Sequence, residues 1–485
     1  MSLSVALNTA RSSIQTTSTQ IATSGRNVAG ADDPTYSRKI AMKSTTADGG
    51  ARTISIARAT DVALFTRMVG ATSQTTGQEA LLAGLERLAE TVGDPEDGGS
   101  PAAKLGVLTS ALGEYANTPD DPLFGQNVVT AANDLVRTIN GAASTVLAVR
   151  NEADAEIASS VFNLNELLVR FEDLNKQVVT GTGTGRDVTE LLDKRDAVLA
   201  SISEEIGISV VARPDNDLAL YTDSGVTLFE TRARSVTFTP ATSLAAGAPG
   251  NAVSIDGVPV TGASSSMPLQ SGRIVGLTQL RDDVSVIYQR QLDEIARGLV
   301  TAFSESDQTA GGAPDLPGLF TYTGATGVPS GSTPGLAAAL RVNAAVDPGT
   351  GGSVAALRDG INGGVYTYNT TGAASFSDRL FALADGMSAS QSFDATSELS
   401  TSIGLNEFAS GSVSWLEGKR SVASQQVNYH TALLSRASEA LSNATGVNLD
   451  EEYAIQLQLE QSYGASSRLI SVIDNLFQTL LSVVR

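Results

Sequence analysis

A seam recurs at alternating steps of four and three over the first 28 positions, apolar except at Thr17 and Ser24: Leu3, Leu7, Ala10, Ile14, Thr17, Ile21, Ser24 and Val28. Such spacing keeps one stripe on one face of a helix, and a stripe repeating every seven residues is the seam of a coiled coil or bundle. The rhythm returns at the other end of the sequence as Ile455, Leu459, Ser462, Ser466, Leu469, Ile473, Leu476, Leu480 and Val483. Tyr463, Ile470, Phe477 and Val484 recur every seven positions beside it. A helix over 450–484 would be about 50 Å long at 1.5 Å per residue, and Asp450, Glu451 and Glu452 suit its N-terminal dipole. The plain reading is two core helices of one bundle. The sharper reading is that the two ends pair with each other and with neighbouring molecules. Two features favour it: small polar residues interrupt both seams, and each seam lies at an extreme of the sequence.

Between the ends the period predicts further helix. The first helix must stop near Pro34, which lacks a donor and restricts Asp33, and TYSRKIAMKS then reads as extended. Helices are expected over 74–93, 101–117 and about 124–179, the last carrying Ile157, Val161, Leu164, Leu168, Phe171, Asn175 and Val178 at the same 4-3 spacing. GTGTG at 181–185 breaks it, and Asp187 with Glu190 resembles a capping box for a helix ending at Gly207. The period then changes to alternation in ISVVA, LALYT, VTLFE, SVTFT and AVSIDGVPV, with Asp256-Gly257 as a hairpin turn. Helix resumes over 272–306, a Gly/Pro/Thr-rich tract of loops and short strands (LRVN at 340–343 among them) fills 308–375, and helical pattern runs from 376 to 443.

The expected fold is therefore mainly α with an inserted all-β domain: a discontinuous helical rod with terminal coiled-coil helices. In residues, 1–45 and 446–485 form the terminal coiled-coil domain, 46–207 and 271–445 the rod (308–375 its loop insert), and 208–270 an outer β domain.

Composition narrows the chemistry. The 485 residues hold 52 acidic and 32 basic side chains, a formal charge of −20, which argues against nucleic acid or an anionic membrane as partner. With no Cys and a single histidine, His430, neither a thiolate site nor a multi-His metal site can form. A helical packing role suits His430 better than that of a catalytic base, and Trp415 reads as a packing anchor. GTGTG follows a helix and lacks the strand that a dinucleotide loop needs. The paired carboxylates of LRDD (280–283) and LDEEY (449–453) diverge on a helix, so caps or solvated faces are their default reading. The Asp/Gly clusters DDP, DPEDGG and DGG lack EF-hand spacing and read as solvated turns. No catalytic, metal or cofactor residue is expected. The N-terminus carries no basic region followed by an apolar run, as a cleaved secretory signal would.

GRNVAGADDPTYSRK, LLDKRDAVLASISEEIGISV, GRIVGLTQLRDD and SNATGVNLDEEYAIQLQLEQSYGASSRLISVIDNLFQTLL together cover about a third of the sequence. In these segments the chain resembles the flagellar hook-associated protein 1 family, the hook-filament junction proteins. The resemblance implies a non-enzymatic, extracellular component of the bacterial flagellum, exported through the flagellar type III channel without a cleaved signal peptide. Its implied partners are copies of itself in a helical ring, hook protein, adjacent hook-associated or filament proteins and an export chaperone. The subunit interface is then expected at Leu3, Leu7, Ala10, Ile14, Ile21, Val28 and Tyr36, and at Ile455, Leu459, Tyr463, Leu469, Ile470, Ile473, Leu476, Phe477, Leu480 and Val483. SGRNVAG departs from the family's Asn-rich run, and the region after 208 is short for a second outer β domain. Other readings are a hook- or filament-type axial protein, or an adhesin-like binding module displayed by the β insert.

Overall fold

The computed structural model describes residues 3–46, 50–93 and 98–483 of the chain. Its backbone is built around one helix, α4 (Pro122–Gly183), about 90 Å long at 1.5 Å per residue. Asp121 caps it, accepting the Leu123 N–H at 2.9 Å, and Pro122 sits in the first turn where no donor is needed. All seven positions of the predicted 4-3 stripe, Ile157 to Val178, are buried. The helix runs into GTGTG before stopping; Gly185, at φ +69°, supplies the left-handed backbone beyond its end.

Chain order places α1 (Leu3–Ala29) first, then the antiparallel hairpin β1 (Lys39–Thr45) and β2 (Ala51–Arg58), followed by α2 (Val62–Ala89), α3 (Pro101–Asn117) and α4. The helix expected at 74–93 begins twelve residues earlier. Its first turns carry Leu64, Phe65, Met68 and Val69 at helical spacing, and buried Thr72, Ser73 and Thr75 continue that face through a polar stretch packed against another helix. Helix α5 (Thr189–Glu205) leads into the insert. Here Asp187 accepts the Thr189 N–H and hydroxyl, and no reciprocal bond from Glu190 completes the expected box.

The insert is two small antiparallel sheets. One contains β3 (Ile208–Ala212), β4 (Leu218–Thr222) and β5 (Thr227–Phe229); the other contains β6 (Val236–Thr237), β7 (Ser254–Ile255) and β8 (Val258–Pro259). Asp256 and Gly257, at φ +48° and +82°, make the predicted two-residue turn. Both sheets lean on α4. Phe229 meets Phe171 edge to face at 5.1 Å, and Asn165 exchanges two hydrogen bonds with the backbone of Val236. Buried Arg281 ties the second sheet down, reaching Asp154 at 2.5 Å and the Asn251 carbonyl at 2.8 Å.

The expected helix over 272–306 is α6 (Arg273–Gln279), a π-helical turn at Leu280–Val284 and α7 (Ser285–Ala302). Where α6 crosses α2, a Cβ on Gly276 would lie 2.0 Å from the Gly77 carbonyl oxygen. Only glycine allows that approach. The Gly/Pro/Thr-rich tract holds β9 (Phe320–Tyr322) paired with β10 (Leu340–Val342), and the short helices α8 (Leu336–Ala339) and α9 (Ala355–Asp359). The pattern over 376–443 is interrupted: α10 (Asp378–Ser388) gives way to the hairpin β11 (Ser390–Ser392) and β12 (Ser402–Gly404). Then come α11 (Leu405–Thr445) and α12 (Leu449–Val483). Helix α11 packs along α2, and α12 returns along α1. The chain is thus mainly helical with long terminal helices and a small β insert.

Candidate functional site at the root of the terminal helices

The end of α1 meets the start of α12 in a cluster of polar side chains. Glu452 is 2% exposed. It accepts hydrogen bonds from Ser24 Oγ at 2.8 Å, Asn27 Nδ2 at 3.1 Å and Arg38 Nε at 2.8 Å. A carboxylate withdrawn from water needs such donors. Asn27 is itself saturated: Nδ2 also donates to the Lys39 carbonyl at 2.9 Å, while Oδ1 accepts the Lys39 N–H at 2.8 Å and the Tyr36 hydroxyl at 3.0 Å. Gly30 makes room for the ring, since a Cβ there would come within 2.6 Å of Tyr36. Burial pushes the Tyr36 phenol up to about 12, so it stays a donor throughout the physiological range.

The cluster continues into the rod. The buried Lys39 ammonium lies 3.9 Å over the Tyr36 ring and pairs with Asp193 of α5. Arg58, at the end of β2, bridges Asp193 at 3.1 Å and Asp196 at 2.7 Å. Burial raises the Asp196 carboxyl, with Arg58 opposing the rise. Arg26 reaches Asp187 at 3.2 Å. Burial works against ionisation of Asp187, yet Thr189 and Arg26 hold its carboxyl below the usual range. The Arg38 N–H donates to the Thr445 carbonyl at 2.8 Å, and Asn448 caps α12 by accepting the Asp450 N–H at 3.0 Å. Segments from residues 24–39, 58, 187–196 and 445–452 are thereby welded together. These carboxylates are occupied by cations and donors, and the arrangement does mechanical work: it fixes the terminal pair to the rod.

LDEEY is therefore not a solvated face at Glu452, whose partners lie 414 to 428 residues away in sequence. LRDD divides similarly, with Asp282 held by Arg281 at 2.7 Å while Asp283 stays exposed. None of Asn27, Arg38, Lys39, Asp193 or Glu452 was predicted as a site residue. The available signal was that GRNVAGADDPTYSRK, LLDKRD and GVNLDEE were the segments that stood out together, and they meet here.

The predicted interface residues divide between two environments. Ala10 and Ile473 are buried between the terminal helices, and Leu3, Leu7, Ile14, Ile21, Val28, Tyr36, Ile455, Leu459, Ile470 and Phe477 are half-buried. Tyr463, Leu469, Leu476 and Leu480 are exposed; the last three join Val472 in a stripe beside the α1 contact, 48 to 55% exposed. The side chains of Val483 and Val484 lie outside the described residues, as do positions 94–97 of DPEDGG. His430 is half-buried beside Tyr429, and the Trp415 Nε1–H donates to Glu398 at 3.0 Å. Among the described residues no helix is long and apolar enough to cross a membrane, and no group of three or more His, Asp or Glu is placed to hold a metal.

Residues 85–318 match the flagellar hook-associated protein FlgK helical domain. Flagellar hook-associated protein 1 of Salmonella typhimurium is 24% identical over 230 residues, which cover 46% of this chain and 41% of that protein; the Salmonella typhi protein matches equally. Over its helical domain the chain is similar to the hook-associated protein 1 family. The aligned part thus spans less than half the length of either Salmonella relative. In fold, the chain is similar to the flagellar hook junction protein FlgK from Burkholderia pseudomallei, with a TM-score of 0.57 and 15% identity over 77% of this chain and 99% of that one.

Proposed function

We propose that this chain is a structural component of the bacterial flagellum, built into the junction between hook and filament by helical self-assembly through its terminal helices. The observation that carries the proposal is the apolar stripe Leu469, Val472, Leu476 and Leu480, which α1 leaves uncovered. A helix whose apolar arc is wider than its intrachain partner covers has surface for another copy. The node at Glu452 supports the same reading, because a fixed angle between terminal pair and rod is what a regular helical lattice requires of each subunit. The proposed partners are copies of this chain, hook protein and adjacent hook-associated or filament proteins, with a chaperone during export. The proposed location is outside the cell, and no catalytic role is proposed.

Deletion of the gene, followed by electron microscopy of the cells, tests the role. Bare hooks with flagellin monomers released into the medium are expected. Full-length filaments on cells lacking the protein would exclude it. Complementation with Leu469→Ser and Leu476→Ser together should fail to restore filaments, although the protein is made.

A further inference from the structure

The β1–β2 hairpin lies along α1. Asn27 holds its root at Lys39, Thr16 Oγ1 donates to the Ala51 carbonyl at 2.9 Å, and Gly50 lies against Ser12 near its far end. The opposite face is open and apolar: Ile40, Met42 and Ile54 are 43, 46 and 54% exposed. The register explains the third. A bulge between Met42 and Lys43 leaves both Ile54 and Ser55 opposite Met42, turning Ile54 onto the outward face. Arg52, paired with Ser44, shares that face, and Lys43 is exposed at its margin. Neither has an ion-pair partner among the described residues.

Charge selects the occupant. Residues 1–60 hold seven basic and three acidic side chains, whereas the other 425 residues hold 25 basic and 49 acidic. Arg26, Arg38, Lys39 and Arg58 are neutralised in the ion pairs at the root of the terminal helices, so it is Lys43 and Arg52 that make this apolar face basic on an otherwise strongly acidic molecule. Hairpin against hairpin would oppose like charges, while hairpin against the acidic rod of another copy pairs opposite ones. The second contact joins different surfaces on the two copies, and such a head-to-tail contact propagates into rings or helices. We infer that the outward face of this hairpin is a second self-association surface, seated on the acidic rod surface of a neighbouring copy. The inference extends the proposed self-assembly and uses a surface separate from the terminal helices.

Sedimentation of the purified full-length protein, at about 0.05 M and about 0.5 M salt, tests it, since screening over that range weakens exposed charge pairs. Wild-type protein should associate more weakly at the higher salt. Lys43→Glu with Arg52→Glu should reduce association several-fold at low salt and remove the salt dependence, with thermal melting unchanged. Met42→Ser with Ile54→Ser should reduce association at both salts. The inference is overturned if both hairpin variants associate like the wild type, or if charge reversal strengthens association. Leu469→Ser with Leu476→Ser provides the separate arm: wild-type association by that variant would sink the terminal-helix reading and leave the hairpin result standing. A wild-type protein that stays monomeric under both conditions would overturn both.

Discussion

Asn27 uses two acceptor and two donor positions at once, the full capacity of its amide. Asn27→Asp keeps the shape and replaces the donors with acceptors facing the Lys39 carbonyl and Glu452. The expected cost is roughly 2–4 kcal/mol, the range for an unsatisfied buried group next to a like charge. Hydrogen exchange should show the loss in the amides of α1 and α12 while those of α4 keep their protection. Equal protection in the variant would mean that the node does not hold the pair. In the sequence, Ser24 registers only as a flaw in the seam, and its meaning depends on Glu452, 428 residues away. Periodicity reports which face of a helix is apolar; it carries no information about which buried polar groups satisfy each other.

Elements were legible where a period persists or a turn has strict backbone needs. The stripe Ile157–Val178 and the Asp256-Gly257 turn are of this kind. The π-helical turn at 280–284 and the break at 390–404 arise from contacts between elements, so local pattern is silent about them. One such contact is testable through pH. Asp293 on α7 accepts the Gly335 and Ala337 N–H groups, each at 2.8 Å, anchoring α8 and the tract around it. Burial pushes its carboxyl from 3.8 up to about 6, against the pull of those bonds. Between about pH 4 and 6 the folded chain therefore keeps a proton that the unfolded chain releases. Stability from this group is lost as pH rises through that window and is level above it, by up to ~3 kcal/mol. Denaturant melts across that range should show the slope as a difference between wild type and Asp293→Asn; parallel curves would refute the assignment.

At the scale of the whole molecule, burial is distributed unevenly between the rod and its ends. Helix α4 has buried side chains along most of its length, whereas in α12 the buried side chains among the described residues are Glu452 and Ile473. Along α1 the buried positions are Ala10, Thr16, Thr17, Thr23, Ser24 and Asn27, small or polar side chains that contribute little apolar area. The terminal pair should consequently open well before the rod melts. Limited proteolysis of the free protein is expected to trim both ends first and to leave a resistant piece close to 60–445. Ile473→Asp places a charge where the pair buries its one large aliphatic side chain in α12. The substitution should separate the distal half of the pair, abolish self-association and leave the melting of 60–445 unchanged. If the ends resist protease as well as the rod does, or if Ile473→Asp still assembles, the terminal helices are an integral part of the folded core and cannot be the element that awaits a neighbouring copy.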